Sequence, residues 1–120
     1  MNSADRPAVV QLDALPPLPC PCGTARRALA DDPEAAASVH LVDVSADAAQ
    51  HHHRRQTEIY IILEGEGAIE LDGVRHPVRP LSVIRIPPGV RHRALGRLRL
   101  LNVVVPPFDP ADEFHDAPPV

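Results

Sequence analysis

The sequence predicts an all-β fold, built as one small domain. Short runs rich in β-branched residues recur through the middle of the chain, above all residues 58–63 (Glu-Ile-Tyr-Ile-Ile-Leu) and 98–105. Residues 68–72 alternate and run into Asp72-Gly73, a strong signal for a two-residue hairpin. Apolar residues make up 44% of the chain, yet its aromatics are only Tyr60, Phe108 and Phe114. Its core must therefore come from Val, Ile, Leu and Ala, which favours strands. A chain of 120 residues without an internal repeat has enough surface to bury for one core and not for two.

Taken in order, residues 1–23 read as an extended arm, because Pro7, Pro16, Pro17, Pro19 and Pro21 remove helix donors. Residues 24–29, carrying Arg26 and Arg27, read as a short strand or turn, and residues 31–36 as a loop or a single helical turn. Residues 38–44 alternate and form a strand leading into three histidines. Residues 58–63 are apolar on both faces except at the first position, so Glu58 lies at the strand's end and faces inward. Gly65 and Gly67 permit a tight reversal into residues 68–72. Residues 83–86 form another short strand, and Pro87-Pro88-Gly89 turns the chain back. Residues 98–105 are the last strong strand, stopped by Pro106 to Pro110. The expected organisation is an arm over 1–23, a β domain over 24–108 and an acidic, proline-ended tail over 109–120.

The residues with chemistry in them are His51, His53, Glu58 and His92. In an extended segment His51 and His53 leave the same face while His52 points away. The turn at Pro87 to Gly89 then returns His92 toward the pair. Three imidazoles and one carboxylate can hold a divalent transition metal and leave positions open for a ligand. A triple histidine can also be the remnant of a tag, but this one is internal and followed by strand-like sequence. His40, His76 and His115 read as ordinary surface residues. Tyr60, two residues beyond Glu58, shares its face and is expected to reach the same interior, as a donor or acceptor in catalysis or as a core aromatic.

Residues 51–65 (His-x-His, four residues, Glu, six residues, Gly) resemble the first motif of the cupin superfamily. Residues 87–92 (Pro-x-Gly-x-x-His) resemble its second. The likeness spans about residues 38–105 and is greatest to small single-domain cupins. It implies an antiparallel β-barrel, or jelly roll, with a metal inside held by His51, His53, Glu58 and His92. The family commonly opens the second motif with Gly-Asp, where this chain has Leu81-Ser82. It often has Asn where this chain has Gly96. Leu81 cannot take positive φ as cheaply as glycine, so the turn before Val83 departs from the pattern.

All twelve basic residues are arginine, most simply a compositional bias of the genome. Arg85 is expected to point inward and bind substrate by clamping a carboxylate. Arg91 and Arg93 flank His92 and should point away. A net charge of −4 with few aromatics argues against nucleic-acid binding. The longest apolar runs span only a few residues, so no membrane partner is expected, and the absence of a visible secretory signal leaves a cytoplasmic location as the default. Cys20-Pro21-Cys22 reads as two reduced thiols in the arm, since cysteines separated by one residue bridge only with strain. Exposed sheet edges need cover, which, with the family's habit, makes a homodimer the expected assembly.

Two functions fit. One is a metal-dependent enzyme of dioxygenase or isomerase type acting on a small oxygenated metabolite. The other is a non-catalytic module that binds or senses a small ligand. Fe, Mn, Ni, Zn, Co and Cu all suit this donor set.

Overall fold

The computed structural model describes residues 6–45 and 48–115; the first five residues of the arm and the last five of the tail lie outside the described residues. Among the described residues nine strands run in chain order: β1 (Leu18–Cys20), β2 (Gly23–Ala28), β3 (Ser38–Val44), β4 (His51–His52), β5 (Thr57–Leu71), β6 (Val74–Val78), β7 (Val83–Ile86), β8 (His92–Val105) and β9 (Phe114–His115). All join one antiparallel sheet. The only helical elements among the described residues are single 3-10 turns at Leu12–Ala14 and Pro110–Asp112. The all-β expectation holds.

The two longest strands, β5 and β8, pair along almost their full lengths and form the spine of the sheet. β3 and β4 attach to the other edge of β8, while β6 and β7 attach to the other edge of β5. The ladder slips between Ile62 and Glu64, leaving Leu63 as the extra residue of a bulge. A bulge bends a strand and increases its twist. Here it lets the sheet curl over its own inner face, giving the half-barrel form of a jelly roll.

The curl explains two glycines. No reversal occurs at Gly65 and Gly67; β5 continues through both and reverses only at Asp72-Gly73. Gly65 has φ 96°, and a Cβ there would lie 2.1 Å from the Arg97 carbonyl oxygen. A Cβ on Gly67 would meet the Leu95 carbonyl oxygen at the same distance. The bend brings the two backbones too close for any side chain. At Asp72 and Gly73 φ is 48° and 83°, which matches the type I′ turn that the Asp-Gly pair predicts.

Alternation sends Val42 and Val44 of β3, Tyr60 and Ile62 of β5, Ile84 and Ile86 of β7, and Leu98 and Leu100 of β8 into one cluster. That core is aliphatic, as the composition requires. The arm is less separate than expected: β1 pairs with β2 at the sheet's edge, a position where Pro19 is tolerated. Leu81 adopts φ 73°, the left-handed conformation that the departure from Gly-Asp leaves to a leucine.

Replacing Gly65 by alanine should therefore destabilise the protein by more than about 2 kcal/mol, since the new Cβ meets a backbone carbonyl at positive φ. In the same urea titration Leu81→Gly should cost nothing or stabilise slightly. A Gly65→Ala midpoint equal to wild type would show that the bend does not need glycine.

Candidate metal centre

His51 sits on β4, His53 just after it, Glu58 near the start of β5 and His92 at the start of β8. Glu58 pairs with Val104, twelve residues along β8 from His92. A flat strand would hold those positions roughly 40 Å apart. The curl instead brings His92 Nε2 to 3.0 Å from Glu58 Oε1. His51 and His92 are direct cross-strand partners on β4 and β8, and their rings lie 4.3 Å apart. One nitrogen or oxygen from each of the four side chains lies within 4.8 Å of every other. All four residues are buried.

The rings are oriented by the backbone. His51 Nδ1 faces the Ala49 carbonyl at 3.0 Å, His53 Nδ1 the Asp112 carbonyl at 2.6 Å, and His92 Nδ1 the Val90 carbonyl at 2.9 Å. A carbonyl only accepts, so each Nδ1 must donate. Each neutral ring then turns the lone pair of Nε2 inward. His53 Nε2 is 2.7 Å from Glu58 Oε1, yet it is buried without a directed hydrogen bond. Nitrogen lone pairs thus converge on a carboxylate oxygen. Acceptors facing acceptors repel unless a cation lies among them, so the donor set fits a metal ion. Bonds of about 2.0–2.2 Å to imidazole nitrogen and carboxylate oxygen would span the cluster.

Three further residues support the four, and sequence reasoning missed all of them. Asn102 Nδ2 donates to Glu58 Oε2. The Asp112 carboxylate accepts from the backbone N–H groups of Arg54, Arg55 and Gln56 at 2.8, 3.0 and 3.0 Å. That fixes the link between His53 and Glu58. The Gln56 side chain accepts from Asp109 N–H and lies 3.1 Å from His53 Nδ1. Asn102 was open to discovery, as the one polar residue in the inward row Leu98, Leu100, Asn102, Val104. Asp112 was not, because nothing local pairs residue 112 with residues 54–56.

Other expectations need correction. Arg85 does not point inward: its neighbours Ile84 and Ile86 fill the interior, so alternation leaves Arg85 exposed on the outer face. His40 is not a surface residue. It is 3% exposed, lies 2.9 Å from Ser38 Oγ, and is placed inward by the parity it shares with Val42 and Val44. His76 and His115 are exposed as expected, though the His115 ring stacks toward His51 at 5.7 Å. His52 points away and stacks on Phe114. Arg91 is exposed, and Arg93 binds Glu70 on the outside. Tyr60 is buried, with its ring 6.3 Å from that of His92.

The inward residues enclose a cavity of about 50 Å³ bounded by His51, His53, Glu58, Tyr60, Asn102 and Arg27, among others. Arg27, His40, Asn102 and Tyr60 are successive cross-strand partners on β2, β3, β8 and β5, so they form one polar row beside the cluster. The Arg27 guanidinium stacks over Phe108 at 4.4 Å, and its Nε is buried without a hydrogen-bond partner.

A model of the cupin domain family matches residues 38–104, more than half of the chain. The chain belongs to the cupin family. Among solved cupin-like structures, a protein from Planctomyces limnophilus superposes with a TM-score of 0.89 at 42% identity, over 93% of this chain and 99% of that one. Streptomyces Pac13, solved with uridine, has a TM-score of 0.82 at 20% identity over 93% and 92% of the two chains. Ectoine synthase from P. lautus has a TM-score of 0.74 at 19% identity over 94% and 92%. At such identities the last two likenesses concern the fold. An uncharacterized protein of Methanocaldococcus jannaschii is 34% identical over 76 residues, and the match spans 60% of this chain and 61% of the relative's length.

Without a metal, the electrostatics of the cupin interior pull in two directions. Burial, with the charge of His92 behind it, lowers the His51 pKa to about 4. Burial, followed by Arg27, lowers that of His40 to about 4. Burial opposes a His53 cation, but contact with Glu58 and its charge raises the pKa. Burial would raise the Glu58 carboxyl, yet the close contact of the His53 and His92 rings, and the positive charge they can carry, hold it well below the usual carboxylate range. Burial, then the charge of Glu58, pushes the Tyr60 hydroxyl up, so it stays a neutral donor.

For His51 and His40, the unfolded chain takes up protons near pH 6.5 and the folded one only near pH 4. Their stability contribution is present above pH 6.5 and lost as pH falls through that window. The gap from 6.5 to about 4 corresponds to roughly 3 kcal/mol per histidine. His53 offsets part of this, since its raised pKa stabilises the low-pH side. Metal-free protein should lose several kcal/mol between pH 6.5 and 4 in thermal melts, and His40→Gln should flatten the slope. A Tm independent of pH across that range would contradict the neutral burial of both rings.

Proposed function

We propose that this cupin is a metal-dependent enzyme of dioxygenase or isomerase type acting on a small oxygenated carboxylate. The observation that carries the reading is the convergence of His53 and His92 Nε2 on Glu58, with a His51 ring nitrogen within 4.8 Å of the same group and each ring held by a backbone carbonyl on Nδ1. His51, His53, His92 and Glu58 would hold a divalent transition metal. Bound there, such an ion supplies a Lewis acid or redox centre with positions open to a chelating ligand.

The chain's own residues supply recognition. Arg27, rather than Arg85, is the cation beside the cavity, with an unpaired Nε that a carboxylate can satisfy. Ser38 Oγ accepts the Phe108 N–H and lies 2.9 Å from His40 Nε2, which fixes the orientation of the His40 ring in the polar row. Tyr60 contributes a neutral hydroxyl and Asn102 an unpartnered Oδ1. About 50 Å³ is room for roughly three or four waters, so the ligand is compact. Structural neighbours include Pac13, described as a nucleoside dehydratase, and oxalate decarboxylase, which shows that this fold hosts catalysis; fold alone does not select the reaction. The small volume also suits the second reading, a module that holds a small ligand without turnover.

Protein purified without a tag should hold close to one transition metal per chain. His53→Ala should retain less than about a tenth of that, and Asp112→Asn should weaken metal affinity by about tenfold or more through the loosened link. Equal, sub-stoichiometric metal in all three proteins would refute the site. Oxygen uptake with catechols, thiols and 1,3-diketones then tests the dioxygenase reading. Silence across the panel, with tight small-carboxylate binding in thermal shift, would favour the non-catalytic module.

A further inference from the structure

The two cysteines are not thiols on a detached arm. β1 and β2 form a tight hairpin in which Cys20 pairs with Gly23 across the turn residues Pro21 and Cys22. The hairpin is seated firmly. The Ser45 N–H donates to the Cys22 carbonyl at 3.2 Å, and a Cβ on Gly23 would lie 2.2 Å from the Asp43 carbonyl oxygen. This geometry holds Cys20 Sγ 2.9 Å from Cys22 Sγ. Both residues are half-buried and free, and both line the cavity that His51, His53 and Glu58 also border.

We propose that Cys20 and Cys22 form a second reactive centre on the cavity wall, a dithiol that closes to an intramolecular disulfide when it meets a hydroperoxide. Cys20 is the nucleophile. The hydrogen bond from the Cys22 thiol favours its anion and burial opposes it. With backbone N–H groups of Cys22 and Gly23 adding to the first effect, the Cys20 pKa falls to about 6. Burial and the neighbouring Cys20 charge keep Cys22 protonated after its role as donor, so the pair shares one proton, the arrangement that makes one sulfur reactive.

The step balances as follows. The Cys20 thiolate attacks the terminal oxygen of the hydroperoxide, the O–O bond breaks, and the leaving alkoxide becomes an alcohol by taking from solvent the proton that Cys20 gave up on ionising. Cys20 is then a sulfenic acid. The Cys22 sulfur attacks it, the S–S bond forms, the S–O bond breaks, and water leaves with the Cys22 proton. Two thiols lose two electrons to the hydroperoxide, which becomes alcohol and water. The ring closed by cysteines one residue apart is strained, and strained disulfides are readily reduced. The bond is therefore reversible, and its formation stiffens the wall beside the polar row.

Hydrogen peroxide added to reduced wild-type protein should remove both thiols about tenfold or more faster than it oxidises glutathione at the same pH. Intact mass should fall by two hydrogen atoms, dithiothreitol should restore it, and bound metal should be unchanged. Cys22→Ser should stop at a dimedone-trapped sulfenic acid on Cys20, whereas Cys20→Ser should leave Cys22 reduced. Wild-type thiols that react no faster than glutathione would overturn the proposal. So would oxidation that yields only cross-linked chains, or equal reactivity of the two single variants. Because thiol count and mass are read independently of metal, failure here leaves the metal centre untouched.

Discussion

The structure depends on the bend in the β5–β8 ladder. These strands carry Glu58 and His92 at positions far apart along the sheet, and nothing in a flat sheet would let them meet. The bulge at Leu63 and the close backbone approach at Gly65 and Gly67 fold the ladder over its inner face. The same curl buries the aliphatic cluster of Ile62, Ile69, Ile86 and Leu100. Core and site are thus two consequences of one deformation. The apolar burial of several side chains, each worth about 1.5–3 kcal/mol, offsets the cost of bringing three imidazoles and a carboxylate together without water.

The site is ordered from outside as much as from within. Three carbonyl oxygens choose the tautomer of three rings, and one of those carbonyls belongs to Asp112, near the end of the described chain. Its carboxylate also holds residues 54–56 by three backbone N–H groups, because burial of an anion requires hydrogen bonds of this kind. The C-terminal segment, expected to be a tail, is part of the cavity's frame: Glu113 borders the cavity and β9 pairs with β4.

Much of this was legible in the sequence, for local reasons. Period-two geometry separated His52 from His51 and His53, and the Asp72-Gly73 turn required only two residues to be read. The cupin motifs made His92 the partner of a run some forty positions earlier. What stayed hidden depended on facing or on distant contacts. Arg85 lies in a four-residue strand whose parity is set by which isoleucines the core takes, and the sequence offers no way to choose. Gly65 and Gly67 look the same whether a chain reverses or crosses another backbone closely. His40 shares the inward parity of Val42 and Val44, but a lone histidine resembles a surface one. Asp112 could not be found at all, since its partners lie more than fifty residues away.

The central claim is that a curled sheet presents three Nε2 atoms and one carboxylate to a single cation. Anomalous diffraction from crystals of the metal-loaded protein measures this directly. One peak should appear in the interior, about 2.0–2.2 Å from Nε2 of His51, His53 and His92 and from a Glu58 oxygen, with each Nδ1 still on its carbonyl. A peak elsewhere, or coordination through Nδ1, would contradict the account.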